Sequence, residues 1–117
     1  MNSRAIAICL ALLIMSACSF PRIIVLRDPL TPEEHLQLGT AYEQKKEYAL
    51  AVREYEAAAK KLDRAKLYLA NAYFLNSEPD RAEALYRQVI RDDPKSADAY
   101  NNLAWLLYMQ KKNLPEA

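Results

Sequence analysis

From Pro32 onward, apolar side chains recur at three- and four-residue intervals, the spacing that lines one face of an α-helix. Tyr48, Ala51/Val52, Tyr55, Ala58/Ala59 and Leu62 form one stripe. Ala82, Leu85/Tyr86 and Val89/Ile90 form another, and Tyr100, Leu103/Ala104 and Leu107/Tyr108 a third. The stripes are interrupted at Lys45-Lys46-Glu47, near Leu62-Asp63, at Asn76-Ser77-Glu78-Pro79 and at Asp92-Asp93-Pro94-Lys95-Ser96. The pattern predicts five helices over about 32–45, 48–62, 64–76, 79–92 and 97–111, with ends fixed to within a few residues. Thr31 is placed to cap the first of them, with Pro32 in its first turn and Glu34 completing a capping box. Ser77 and Ser96 are predicted to cap the fourth and fifth.

The residues ahead of the helices have a different pattern. Met1-Asn2-Ser3-Arg4 is a short, positive start, and Ala5 to Met15 is an unbroken apolar run of eleven residues. Small residues follow, up to Cys18. This is the layout of a secretory signal, and the run is well short of the roughly 17–25 residues that span a bilayer. Between Phe20 and Leu30, two prolines bound the β-branched run Ile23-Ile24-Val25-Leu26, which disfavours helix. The segment reads as an extended tether whose apolar residues dock on the first helices, or as a strand that pairs with a partner.

Met15-Ser16-Ala17-Cys18 closely resembles the bacterial lipobox. The resemblance implies cleavage before Cys18 and acylation of that cysteine on sulfur and, usually, on its new amino group. Several acyl chains hold a protein stably where one holds it only marginally. Residues 1–17 are then the signal peptide and 18–31 the acylated cysteine and tether. Cys9 would leave with the signal and Cys18 would carry lipid, so the mature chain would form no internal disulfide. Ser19, in place of the aspartate that tends to retain such proteins in the inner membrane, implies the outer membrane, facing the periplasm.

The helical region repeats itself. Leu38-Gly39 with Tyr42 returns as Leu69-Ala70 with Tyr73, and again as Leu103-Ala104 with Leu107. Ala51 with Tyr55 returns as Ala82 with Tyr86, at the same offset as the first of those returns. Each time, a small residue is followed at helical spacing by a large one. Two helices approach closely only where one side chain is nearly absent, and the large partner fills the groove beside it. These residues resemble the tetratricopeptide repeat, a helix–turn–helix unit of about 34 residues. Leu38, Gly39, Tyr42, Ala51, Tyr55 and Ala58 match the first unit. Leu69, Ala70, Tyr73, Ala82, Tyr86, Val89 and Pro94 match the second, and Tyr100, Leu103, Ala104 and Leu107 open a third. The fold class is therefore all-α: a solenoid of helical hairpins with about two and a half repeats, over 32–62, 63–96 and 97–117, preceded by signal peptide and tether. Two departures stand out. The first repeat is three residues short and lacks a closing proline, and Lys66 occupies a position where the family usually has a bulky aromatic. The sequence reaches Asn113-Leu114-Pro115-Glu116-Ala117 at the turn into the third unit's second helix. It reads as a truncated copy of a longer array, ahead of an alternative in which the last helix meets a partner or a second copy.

Composition and charge narrow the functional classes. A single glycine argues against a phosphate-binding loop or a dinucleotide fingerprint. Two cysteines and one histidine are too few for the usual zinc cluster, and no cofactor or metal is expected. Sixteen basic against fifteen acidic side chains give no excess for nucleic acid, and loss of residues 1–17 removes only Arg4. His35 has no nucleophile beside it in sequence, and reads as packing against the tether rather than as part of a catalytic triad. Glu33-Glu34 suits a helix N-terminus and Asp92-Asp93 a turn, so the chain is not expected to be an enzyme.

The resemblance implies that the first helices of successive units line a concave groove for an extended peptide or a helix. Carried over, the lining is Gln37, Thr40 and Gln44 from the first unit, then Tyr68, Asn71, Phe74 and Leu75, then Asn101, Asn102, Trp105 and Tyr108. One subgroup of the family clamps a peptide carboxylate with lysines, an arginine and asparagines. The matching positions here hold Leu36, Thr40, Tyr68, Asp98 and Asn102, so no such clamp is expected. The aromatic members have a competing reading as packing between repeats. The expected function is a lipid-anchored scaffold or adaptor that holds an envelope protein or peptide segment near the membrane. The alternatives are a structural subunit that self-associates through the last helix, and the N-terminal fragment of a longer repeat protein.

Overall fold

A computed structural model describes residues 27–113. The expected signal peptide, Cys18, the tether as far as residue 26 and residues 114–117 lie outside the described residues. Every regular element described is helical: α1 (Pro32–Gln44), α2 (Tyr48–Ala59), α3 (Ala65–Leu75), α4 (Pro79–Asp92) and α5 (Ala97–Lys112). Each helix packs on the next in chain order, and α3 also touches α5. Two hairpins, α1–α2 and α3–α4, thus stack with α5 following. None of these helices is long and apolar enough to cross a membrane.

The helix ends follow local chemistry. Thr31 Oγ1 accepts from the Glu34 amide at 3.2 Å, and the Thr31 amide donates to Glu34 Oε2 at 2.7 Å. Hydrogen bonding from Thr31, its backbone amide foremost and then its hydroxyl, holds the Glu34 carboxyl below the usual carboxylate range. Ser96 Oγ caps α5 by accepting from the Ala99 amide at 3.4 Å. Ser77 does not cap α4. It sits at φ 61°, in the left-handed region, and helps to close α3 instead. Its amide donates to the Phe74 carbonyl and the next amide, of Glu78, to the Tyr73 carbonyl. Lys46, at the equivalent place in the first hairpin and at φ 60°, does the same for α1, with Glu47 donating to Tyr42. Both hairpins therefore turn on the same device, a left-handed residue whose flanking amides satisfy the last carbonyls of the helix. Pro79 then opens α4, at a position where no amide proton is needed. Helix α2 ends at Ala59, short of the predicted end at Leu62. Leu62 still packs against the core, but from the turn.

Two clusters make up the core. Leu36, Ala51, Val52, Tyr55, Ala58, Ala65, Leu69 and Ala72 form one, and Ala70, Ala82, Tyr86, Leu103 and Leu106 the other. The small–large alternation acts as the sequence suggests. A methyl group at Gly39 would lie 2.6 Å from two ring carbons of Tyr55, a ring with no exposed surface. Gly39→Ala gains about 1 kcal/mol of helix propensity and incurs about 1–3 kcal/mol of overpacking. Because the ring is buried and hydrogen-bonded at its far end, overpacking wins. The expected result is a net loss of about 1–2 kcal/mol in a denaturant titration, where an exposed helical glycine would give a gain.

The third stripe is rotated from its predicted position. The buried edge of α5 is Ala99, Leu103 and Leu106, while Tyr100 is 48% exposed and Ala104, Leu107 and Tyr108 are exposed as well. Helix α5 packs chiefly on α4 and α3, so the edge facing them is the one covered among the described residues. Lys66 also has a local explanation. Its ammonium group lies 3.0 Å from Asp63 and 3.6 Å from Asp92, and thereby ties the start of α3 to the end of α4. His35 is more confined than its predicted packing against the tether. It is 7% exposed, with Nε2 3.0 Å from Asp28 and Nδ1 2.7 Å from Glu54. Since carboxylates only accept, both contacts are hydrogen bonds at once when each ring nitrogen carries a proton. His35 thus pins the chain ahead of α1 and helix α2 to the same point.

Candidate functional site

A tyrosine on the second helix of each hairpin reaches through to the first. The Tyr55 hydroxyl on α2 shares its proton between Glu43 Oε2, at 2.9 Å, and Thr40 Oγ1, at 3.3 Å, both on α1. Thr40 passes its own proton to the Leu36 carbonyl at 3.0 Å. The Tyr86 hydroxyl on α4 donates to Asn71 Oδ1 on α3. Asn102 Nδ2, on α5, donates to that same oxygen at 2.9 Å. A line of polar groups therefore runs across α1, α3 and α5, supported from behind by the two tyrosines.

Glu43, Asn71, Phe74, Leu75, Tyr86, Asn102 and Trp105 enclose an open cleft of about 300 Å³ along this line. With Oδ1 of Asn71 already accepting two hydrogen bonds, its NH₂ group and the Asn102 side-chain carbonyl have no partner among the described residues and can meet a ligand. Phe74 is half-buried against the second core cluster and forms the cleft's apolar floor. Trp105 and Tyr108 are 55% and 57% exposed, and their rings are tilted together with centroids 5.8 Å apart. They are not packing between the described repeats.

The fold thus gathers five of the eleven sequence-derived groove positions, Asn71, Phe74, Leu75, Asn102 and Trp105, into one cleft. Tyr108 adjoins it through Trp105. Gln37, Gln44 and Asn101 are exposed and do not line it, and Thr40 is occupied with Tyr55 and Leu36. Tyr68 packs against Tyr55, with centroids 5.8 Å apart. It lines a separate cleft of about 440 Å³ at the edge of the stack, beside Arg64, Lys66, Asp92 and Asp93. Glu43 and Tyr86 were not among the expected lining. Tyr86 reads from sequence as a core residue, which its ring is, and the reach of its hydroxyl is the added function. At the end of α1, Glu43 rather than its neighbour Gln44 turns toward Tyr55. The repeat spacing could have indicated this, since the offset that carries Leu38 onto Leu69 also carries Glu43 onto Phe74, which lines the same cleft.

Burial governs the titration of these hydroxyls. It pushes Tyr55 up to about 12, with the Glu43 hydrogen bond and charge adding to it. Burial also takes Tyr86 to about 12, with the charge of Glu43 behind it. Tyr73, which donates to Glu56 at 2.7 Å, is likewise raised by burial to about 12. Each is raised above the ordinary 10.0 on folding, so the stability it contributes is complete below pH 10 and is lost as pH climbs through about 12. Helical signal and tyrosinate absorbance, followed together, are expected to change in that window. Three of the chain's eight tyrosines are expected to ionise only with that loss of helix, and all eight ionising near pH 10 with the helices intact would contradict the burial of these rings.

No group of three or more His, Cys, Asp or Glu side chains among the described residues could hold a metal ion. What the cleft offers is amide, carboxylate and aromatic surface, suited to binding a polypeptide. A sequence model of the tetratricopeptide repeat matches residues 36–87 and again 67–117. The two matches begin at positions 36 and 67, the same offset as from Leu38 to Leu69. No curated protein matches the chain.

Proposed function

Because the chain belongs to the tetratricopeptide repeat family, a non-catalytic protein-interaction scaffold, we propose that it is a lipid-anchored adaptor of the bacterial envelope. Acyl chains on Cys18 would fix it to the membrane, at the outer membrane and facing the periplasm. The amide-and-aromatic face of α1, α3 and α5 would hold an extended segment of a partner protein close to that surface. Confinement raises the effective concentration of the partner, so a shallow cleft suffices. The observation that carries the binding half is the Asn71–Asn102 pair beside the exposed Trp105–Tyr108 pair. What supports the anchoring half is Met15-Ser16-Ala17-Cys18 after an unbroken apolar run. Intact-mass analysis of the protein purified from bacterial membranes tests it. A lipid mass increment, absent from Cys18→Ala, is expected, and an unmodified native chain would end the proposal.

One observation favours a second reading, self-association. The exposed side of α5 carries Tyr100 and Leu107, and an apolar cleft of about 270 Å³ runs between Ile90, Tyr100 and Leu103, flanked by Arg87 and Arg91. Sedimentation of the acyl-free chain discriminates the two readings: a monomer at high concentration rules self-association out.

A further inference from the structure

Among the described residues that line the cleft, Glu43 is the charged one, surrounded by Asn71, Asn102, Phe74, Leu75 and Trp105. Among the described residues it takes part in no ion pair. Its Oε2 accepts from Tyr55, which fixes the carboxylate from behind, while Oε1 has no hydrogen-bond partner among the described residues. The negative charge reaches across the cleft. After burial, it is the next cause that raises the Tyr86 hydroxyl, on the other hairpin.

A half-buried carboxylate with an uncommitted oxygen and apolar walls attracts a cation more strongly than a surface carboxylate does, because less solvent screens the pair. Trp105 adds an exposed aromatic face to the same cleft. A guanidinium group satisfies both features, donating in its plane to a carboxylate and stacking on an indole. An ammonium group offers only a point charge. We infer that the cleft takes an arginine side chain from an extended partner segment, with the guanidinium on Glu43 and against Trp105, while the free amide groups of Asn71 and Asn102 meet the segment's backbone. This rests on the adaptor reading of the same face and specifies what that face selects.

The chain's single tryptophan is Trp105, so its intrinsic fluorescence reports occupancy of the cleft directly. The full chain is panned against a displayed library of random linear peptides, and the enriched peptides are synthesised with arginine or with citrulline, its neutral isostere. The expected result is enrichment of arginine at one fixed position, a fluorescence change on binding, and a loss of about ten- to a hundredfold in affinity on exchange for citrulline. Glu43→Gln, which keeps an acceptor for Tyr55, is expected to weaken the arginine peptide by the same factor and the citrulline peptide little. The citrulline exchange needs no protein variant, so the test stands even if Glu43→Gln folds poorly. Peptides that perturb Trp105 but show no arginine preference, and bind Glu43→Gln as well as the native chain, overturn this inference and leave the adaptor reading intact. Failure of any peptide to perturb Trp105 overturns both.

Discussion

Tyr55→Ala is expected to lower stability by about 3–5 kcal/mol. The ring has no exposed surface, and sits where Gly39 leaves room for it, between α1 and α2. Removing it opens a cavity that those two helices cannot close without losing Leu36, Val52 and Ala58 from the first core cluster. It also strips Glu43 and Thr40 of their shared donor. Small domains have only about 5–15 kcal/mol in hand, so the variant is expected to melt far below the native chain or to fail to fold. Tyr55→Phe separates packing from hydrogen bonding. It keeps the ring, and is expected to lose about 0.5–1.5 kcal/mol. Denaturant titrations followed by circular dichroism check both. Equal losses for the two variants would mean that the hydroxyl, rather than the ring in its glycine-lined slot, holds the hairpin together.

Trp105→Ala is expected to have the opposite profile: binding lost, stability kept. The indole is 55% exposed and the ring it pairs with among the described residues is Tyr108 on the same helix, so truncation is expected to change stability by less than about 1 kcal/mol. A central aromatic anchor is commonly worth about 2 kcal/mol or more of affinity, roughly thirtyfold. Calorimetric titration of library-selected peptides into native and Trp105→Ala chains, with melting curves on both, reads the two effects separately. A large fall in melting temperature with binding retained would make Trp105 a packing residue and move the binding surface elsewhere.

The helices themselves were largely legible in the sequence, because their cause is local. Thr31 with Glu34 and Ser96 cap through contacts within one helical turn, and the small–large pairs 51/55 and 82/86 are read from spacing alone. What escaped the sequence is set by neighbours. Ser77 carries a good capping side chain, but the left-handed turn it shares with Lys46 commits it to closing the preceding helix. The stripe on α5 has the right period and the wrong phase, since period fixes that a face is apolar while the packing of α3 and α4 fixes which face is covered. His35 looked solitary along the chain because its carboxylates, Asp28 and Glu54, come from either side of α1 in sequence. In the cleft, Asn71, Phe74 and Leu75 on α3 and Asn102 and Trp105 on α5 were legible through the repeat resemblance, whereas the three positions expected from α1 do not line it. Glu43 was open to the sequence only through its repeat offset onto Phe74, and the hydroxyl of Tyr86 was not legible, because its role depends on a side chain reaching through from the other helix of a hairpin.

The central claim is that the face built on Asn71, Asn102 and Trp105 is where this chain meets another polypeptide. Site-specific photo-crosslinking in intact cells that express the chain tests it most directly, with the photoreactive amino acid at position 105 in one strain and at position 88, exposed on α4 and outside the cleft, in another. A discrete protein adduct from position 105 that is absent from position 88 is the predicted result. Adducts from 88 alone, or none from 105 while the chain is folded and expressed, would contradict it.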